Sequence, residues 1–175
     1  MAYLAIAYPE LNQIDYEWIQ KYRKKYDKLY FDLVKPHITL VFAISDILKD
    51  DFIQECTSQL KDVKAFDFVS KVATINLDDS GNYYHEFLVP DDGCSRVIKL
   101  HDKLYSGLFA KHLRHDIDYI PHIGIGNSNN VNESKKRVDD LNKQDFTVKA
   151  KVSSVDIVEY KNNVITTLQK IYLDS

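Results

Sequence analysis

The chain has 175 residues, 45% of them hydrophobic, so it can bury the core of one domain of ordinary size. Its formal net charge of −3 gives no broad basic surface of the kind that binds duplex nucleic acid, and we expect no duplex DNA partner. Cys56 and Cys94 are too few for a disulfide framework and lack metal-ligand spacing, which favours a reducing compartment.

The first residues, MAYLAIAYPE, are apolar for only seven or eight positions before Pro9 and carry no basic leader. We therefore expect no signal peptide and no membrane span. Together with the cysteine usage, this predicts a cytoplasmic protein without a membrane partner. We also expect a monomer.

Short apolar runs alternate with amphipathic stretches in the first half of the chain. In chain order they predict a strand at 3–8 that Pro9 ends, a helix over 14–26, a strand at 37–42, a helix over 46–61 and a strand at 66–77. Asn12 or Asp15 can cap the first helix. Residues 78–82 are typical of a turn that returns the chain as a hairpin.

The second half repeats this order of elements. It predicts a strand at 83–89 that Pro90 ends, a helix that Ser95 can cap and whose apolar stripe reaches Phe109, a strand at 122–126 after Pro121, a polar helix over 132–143, and strands at 146–160 and 164–173. The interval from Pro9 to His37 is 28 residues, and that from Pro90 to His122 is 32.

The repeated order predicts an α+β fold of two lobes related by a pseudo-twofold axis. Each lobe is expected to be an antiparallel-rich sheet with helices on its outer face, and a central groove should separate the lobes. No linker rich in Gly, Pro or Ser divides the chain, so residues 1–175 should form a single bilobal domain.

The most specific repeat is PHITL at 36–40 and PHIGI at 121–125. Side chains at i and i+2 of a strand share a face, so His37 lies with Thr39, and His122 lies with Gly124 and Gly126. If the isoleucines pack under the helices, the histidines face the groove, one on each wall.

Two imidazoles across a groove suit the cleavage of a phosphodiester. A neutral imidazole can take a proton from the attacking water while a protonated one gives a proton to the departing ribose oxygen. Thr39 can donate a hydrogen bond to a phosphoryl oxygen. Gly124 has no side-chain donor, but its missing Cβ would let a backbone N–H approach instead.

His37-Ile38-Thr39-Leu40 and His122-Ile123-Gly124-Ile125, each after a strand and a helix, resemble the paired signature of the two-histidine (2H) phosphoesterase superfamily. This group contains 2'-5' RNA ligase-like proteins and cyclic phosphodiesterases. The resemblance implies a bilobal fold and chemistry without metal or cofactor on 2',3'-cyclic or 2'-5' phosphodiesters of RNA ends or small nucleotides.

By position, the resemblance implies that His37 and His122 are catalytic and that Thr39 binds substrate. Where the family usually carries Thr or Ser, this chain has Gly124 in the substrate-binding position. Two function classes therefore stay open. One is a hydrolase, or a ligase in the reverse direction, and the other is a non-catalytic module that binds nucleotides or RNA ends.

Other polar residues have simpler interpretations. His101, His112 and His115 could suggest a metal set, but no fourth ligand is evident, and we expect no metal site. His85 is expected to be an exposed or paired polar residue in a strand. The run KYRKKYDK at 21–28 is typical of the solvated face of an amphipathic helix.

Lys35 could draw anions towards the groove, although the notion of an ordinary solvated lysine accounts for it better. Several tyrosines near the groove strands could stack on a base, although core or rim positions explain them too. These are Tyr8, Tyr83, Tyr84 and Tyr119.

Overall fold

The computed structural model describes residues 1–175 as nine strands and four α-helices. In chain order they are β1 (Ala2–Ala7), β2 (Glu10–Leu11), α1 (Gln13–Tyr26), β3 (Ile38–Ile44), α2 (Lys49–Leu60), β4 (Phe66–Leu77), β5 (Tyr84–Asp92), α3 (Cys94–Leu104), β6 (Ile123–Ser128), α4 (Val131–Asn142), β7 (Val148–Val152), β8 (Ser154–Lys161) and β9 (Val164–Tyr172). None of the helices combines the length and apolar character needed to cross a membrane.

The strands form two antiparallel sheets. Sheet A has the order β3-β1-β8-β9, and sheet B has the order β2-β7-β4-β5-β6. Helices α1 and α4 pack on sheet B, while α2 and α3 pack mainly on sheet A. The predicted fold class, two antiparallel sheets with helices outside and a groove between them, is confirmed.

The sheets do not follow the two halves of the sequence. β4 comes from the first half but lies in the middle of sheet B, and β8 and β9 come from the second half but complete sheet A. One apolar cluster of 30 buried residues joins both sheets, with Ala5 of β1 and Leu88 of β5 fully buried in it. The two motif strands, β3 and β6, are therefore fixed against a shared core.

The helix ends show where local sequence signals succeed and fail. Asn12 caps α1, because its side-chain oxygen accepts a hydrogen bond from the backbone N–H of Asp15 at 2.9 Å. The predicted cap of α3 by Ser95 is wrong. The helix begins at Cys94 after Gly93, whose φ of 81° and close approach to the Asp67 carbonyl leave no room for a side chain.

Three strand predictions need correction. Pro90 does not end β5 but lies within it, opposite Ser70 at a register irregularity, where a proline is tolerated. The predicted strand 146–160 is two strands, because the chain leaves sheet B at Val152 and enters sheet A at Ser154. The two-residue strand β2 was not predicted.

Candidate active site

The two motif strands carry the same irregularity at the same place. On β3, Thr39 pairs with Ile6 of β1, and the next pair is Val41 with Ala5, so Leu40 is an extra residue. Such a bulge bends a strand and re-aims the side chains around it. Thr39 lies before the bulge and lines the same cavity as His37.

On β6, Gly124 pairs with Phe87 of β5, and the next pair is Gly126 with Glu86. The register skips a residue here too, one position after Gly124. At this bulge Gly126 pairs with Glu86, although it still lines the cavity together with His122 and Gly124. A Cβ on Gly126 would lie 2.6 Å from the buried Glu86 carboxylate, on the side covered by α1.

A cavity of about 460 Å³ lies between the sheets, and all four predicted site residues line it. They are His37, Thr39, His122 and Gly124. The wall also contains aromatic, apolar and charged residues, namely Leu4, Arg23, Asp27, Tyr30, Leu33, Val34, Phe42, Ala43, His85, Phe87, Gly126, Tyr160 and Ile165. The structure therefore brings the two halves of the repeat together at one cavity.

The two motif histidines are held by equivalent hydrogen bonds. His37 Nδ1 lies 2.9 Å from the carbonyl oxygen of Lys35, and His122 Nδ1 lies 2.6 Å from that of Ile120. A carbonyl oxygen can only accept, so Nδ1 of each ring carries the proton. In the neutral imidazole, Nε2 is then a free base, and in the charged one it is a donor.

Burial of the two rings determines their charge. It is the main reason that the pKa of His122 is lowered to about 4; the neighbouring His37 and His85 act in the same direction, and the Ile120 carbonyl opposes them. Burial also lowers the pKa of His37, and Arg23 adds to this, while the Lys35 carbonyl and Asp27 oppose it. Both imidazoles are neutral at pH 7 before an anion enters.

Each ring has an aromatic neighbour. Phe87 stacks on His122 with ring centroids 3.5 Å apart, and Tyr8 meets His37 edge-on with centroids 6.3 Å apart. Of the four tyrosines considered from sequence, only Tyr8 contacts a motif histidine in this way. Tyr119 instead stacks on His101 and donates a hydrogen bond to the Thr39 carbonyl. The tyrosines that line the cavity are Tyr30 and Tyr160.

The space beside Gly124 is open. No atom lies within 4 Å of the position that a Cβ would occupy. The cavity therefore has a threonine hydroxyl on the β3 side and an unfilled place for one on the β6 side.

Three residues of the cavity wall were not predicted from the sequence. His85 lines the cavity and approaches Asp78, with Nε2 4.0 Å from the carboxylate. Arg23 and Asp27 belong to the run 21–28 that was interpreted as a solvated face, yet they are 1% and 4% exposed and form an ion pair in the cavity wall. Only the position of these two residues on the buried face of the helix could have singled them out, since half of the run is lysine.

The remaining histidines do not form a metal set. His101 is buried, with Nδ1 2.8 Å from the Leu40 carbonyl, and His112 lies 3.6 Å from Asp46. The structure contains no group of three or more His, Cys, Asp or Glu residues that could hold a metal ion. Lys35 is exposed and contributes its carbonyl oxygen to the site.

Residues 12–164 match the family model of the 2'-5' RNA ligase superfamily, and the chain belongs to that family. The resemblance to the 2H phosphoesterases is thereby confirmed at the level of the family. No curated protein matches the chain.

Solved structures share the fold at low sequence identity. Escherichia coli LigT complexed with 3'-AMP has a TM-score of 0.65 and 13% identity, over 99% of this chain and 98% of that one. TT0787 of Thermus thermophilus has a TM-score of 0.61 and 14% identity, over 99% and 98%. Kluyveromyces marxianus Usb1 has a TM-score of 0.56 and 7% identity, over 95% and 97%. At these identities the likeness extends to the fold alone.

Proposed function

We propose that the protein is a metal-independent phosphoesterase that acts on 2',3'-cyclic or 2'-5' phosphodiesters of RNA ends or small nucleotides. The observation that carries this proposal is the pair of imidazoles in one cavity, each with Nδ1 bound to a carbonyl oxygen two residues earlier. Both rings then keep Nε2 for proton transfer. General acid–base catalysis of this kind typically contributes roughly 10²- to 10⁴-fold for each transfer.

In the proposed hydrolysis, one neutral imidazole takes a proton from water as the water oxygen bonds to phosphorus. The other, protonated, gives its proton to the ribose oxygen as the bond from phosphorus to that oxygen breaks. His37 and His122 can exchange these roles with the direction of reaction, because their anchoring is equivalent. Ligation is the same sequence of steps in reverse.

The phosphoryl oxygens need hydrogen-bond donors, and Thr39 supplies one beside His37. A hydrogen bond to a charged group contributes about 1.5–3 kcal/mol, which is roughly ten- to a hundredfold in rate. We therefore expect Thr39→Val to lower kcat/KM by that factor and Thr39→Ser to keep most of the activity. Opposite Thr39, Gly124 leaves the place of a second hydroxyl open.

The apolar and aromatic wall favours a nucleotide over inorganic phosphate alone. Tyr30, Phe42 and Tyr160 offer ring surfaces, and a cavity of about 460 Å³ exceeds the size of a phosphate group. Solved structures of LigT with 3'-AMP, ATP and NADP+ belong to that protein and support a nucleotide ligand for this fold.

A turnover assay tests the proposal. The protein is incubated with 2',3'-cyclic mononucleotides and with 2'-5' dinucleotides. No metal is added, and each reaction is run once with chelator and once without it. We expect product in both conditions and a loss of roughly 10²-fold or more in His37→Ala and in His122→Ala. His115→Ala is the matched control, because His115 is exposed and does not line the cavity. Full turnover in both cavity variants would refute the assignment.

The second candidate is a binding module of the same fold, and Gly124 is the observation that favours it. Without a second hydroxyl, the cavity could hold a nucleotide or RNA end with no reaction. Calorimetric binding of 3'-AMP together with absent turnover on every diester tested would support this function over the enzyme.

A further inference from the structure

The guanidinium of Arg23, on α1, is buried and bound on several sides. Its Nε donates to the Asp27 carboxylate at 2.9 Å, and one terminal nitrogen donates to the carbonyl oxygens of Tyr30 and Val34 at 3.1 and 2.8 Å. The segment from Asp27 to Val34 is thus bound at three points to the Arg23 guanidinium. Because these donors are directed at protein atoms, Arg23 is poorly suited to bind phosphate, although it lines the cavity.

Asp27 extends this network to the other motif strand. One carboxylate oxygen accepts from the backbone N–H of Tyr30 at 3.1 Å and from the side-chain amide of Asn127 at 2.6 Å. Asn127 is buried on β6, five residues after His122. A single carboxylate therefore contacts both the segment that leads to His37 and the strand that follows His122.

The segment ends at the group that orients His37. Val34 is held by Arg23, and the next residue, Lys35, provides the carbonyl oxygen that anchors the His37 ring. A buried ion pair is costly to desolvate and often adds little net stability, so another role is expected for the pair of Arg23 and Asp27. Fixing the geometry of a site is such a role, since a misplacement of about 1 Å can cost 10²-fold in rate.

We propose that Arg23, Asp27 and Asn127 form a brace that sets the separation and orientation of the two histidines, with Asn127 as a positioning residue across the groove. This inference rests on the proposed two-histidine function. The brace acts through the segment from Asp27 to Lys35 and through β6.

Asn127→Ala tests the brace because it removes the cross-link and leaves the ion pair in place. Asn142→Ala is the matched control. Asn142 also joins two elements, with its side chain bound to both the N–H and the carbonyl of Ala73 at 2.8 Å, but this link includes neither Asp27 nor any other residue of the cavity wall. Both variants lose an asparagine cross-link, but Asn127 is buried and Asn142 is exposed, so we expect the larger fall in Tm in Asn127→Ala.

Only Asn127→Ala should change catalysis and the titration of His37. We expect Asn127→Ala to lower kcat about 10- to 100-fold with KM changed less than about threefold, and Asn142→Ala to leave both within about twofold. The pKa of His37, followed by NMR, should rise in Asn127→Ala, because the Asp27 carboxylate then lacks a donor and acts more strongly on the imidazole. If Asn127→Ala does not fold, Asn127→Ser, which keeps a donor on a shorter side chain, is measured in the same way.

The outcomes separate the brace from the proposed function. Equal effects of the two asparagine variants on kcat and on the His37 titration would overturn the brace, even if the wild type is active. If the wild type shows no turnover, the proposed function fails. An unchanged His37 titration in Asn127→Ala would then reject the brace too, and a changed one would support it as a structural link between the two histidines.

Discussion

Phe87 lies flat against His122, with ring centroids 3.5 Å apart and ring planes 16° from parallel. Phe87 is also the register partner of Gly124. One residue of β5 therefore covers the histidine and faces the open place beside the glycine. Phe87 thereby covers one face of the His122 imidazole on the β6 wall of the cavity.

Replacing the Phe87 ring by a smaller side chain should raise the pKa of His122. In Phe87→Leu, water reaches the imidazole more easily, so we expect the pKa of His122 to rise from about 4 towards 6.5. NMR titration of the imidazole measures this. Phe42→Leu is the control, because Phe42 lines the cavity but packs near His101 and Tyr119 instead. Equal titrations in the wild type and Phe87→Leu would rule out shielding by this ring.

Gly124→Ser should fold normally and raise turnover. The new side chain enters open space, and its hydroxyl can donate to a phosphoryl oxygen opposite Thr39, with a gain of up to about tenfold. Gly124→Ala separates the hydroxyl from the added carbon and should show no gain. Steady-state kinetics and thermal unfolding check both variants.

Gly126→Ala is the contrasting case two residues later. Its Cβ would approach the buried Glu86 carboxylate, which is already held by Arg137 at 2.8 Å and by the Tyr22 hydroxyl at 3.0 Å. We expect it to unfold at a lower temperature than Gly124→Ala. If the Gly124 variants are the less stable ones, the glycine serves the backbone of the bulge.

The pH dependence of activity follows from two neutral imidazoles. The free protein must take up a proton before it can act as an acid, and both histidine pKa values lie below 6.5. We therefore expect kcat/KM to fall as pH rises above about 6.5. A bound phosphodiester raises the pKa of the imidazole beside it, so the optimum for kcat should lie at higher pH than that for kcat/KM. Coincident optima would argue against anion-coupled protonation.

Because of His122, the free energy of unfolding should also decrease as the pH is lowered from 6.5 to 4. Because the folded pKa of His122 is about 4 and the unfolded one about 6.5, the unfolded chain binds more protons in this range. The contribution is fully present above pH 6.5 and lost as pH falls, by at most about 3 kcal/mol. Denaturant unfolding measures the free energy of unfolding at each pH. Between pH 6.5 and 4 this free energy should fall less in His122→Gln than in the wild type.

Glu86 and Asp156 affect stability in the opposite direction to His122: they favour the folded state as the pH falls. The reason is that burial raises the pKa of each carboxyl. The folded chain then binds more protons than the unfolded one as pH falls through their range. Comparison of His122→Gln with the wild type cancels this effect, since both carboxyls are present in both proteins.

The sequence predicted the element order and the motif strands because their signals are local. The end of β1 before Pro9, the Asn12 cap and each of the two Pro-His-Ile motifs are visible in short windows. The exchange of the chain between sheets at Ser153 is set by long-range pairing, and β7 and β8 together have the pattern of one continuous strand.

The site was predicted where it repeats and missed where it does not. The bulges after Thr39 and Gly124 depend on pairing with β1 and β5, which no local pattern reveals. Arg23 is surrounded in sequence by lysines, and its burial depends on the segment folded over it. His85 has no sequence repeat to mark it, and only the pairing of β5 with β6 brings it into the cavity.

The most direct test of the account is a double-mutant cycle on His37 and His122, with turnover of a 2',3'-cyclic mononucleotide as the readout. If the two imidazoles transfer protons in one step, each single alanine variant loses roughly 10²-fold or more, and the double variant loses little beyond the worse single. Losses that multiply fully in the double variant, or turnover that survives in it, would contradict a shared reaction at this cavity.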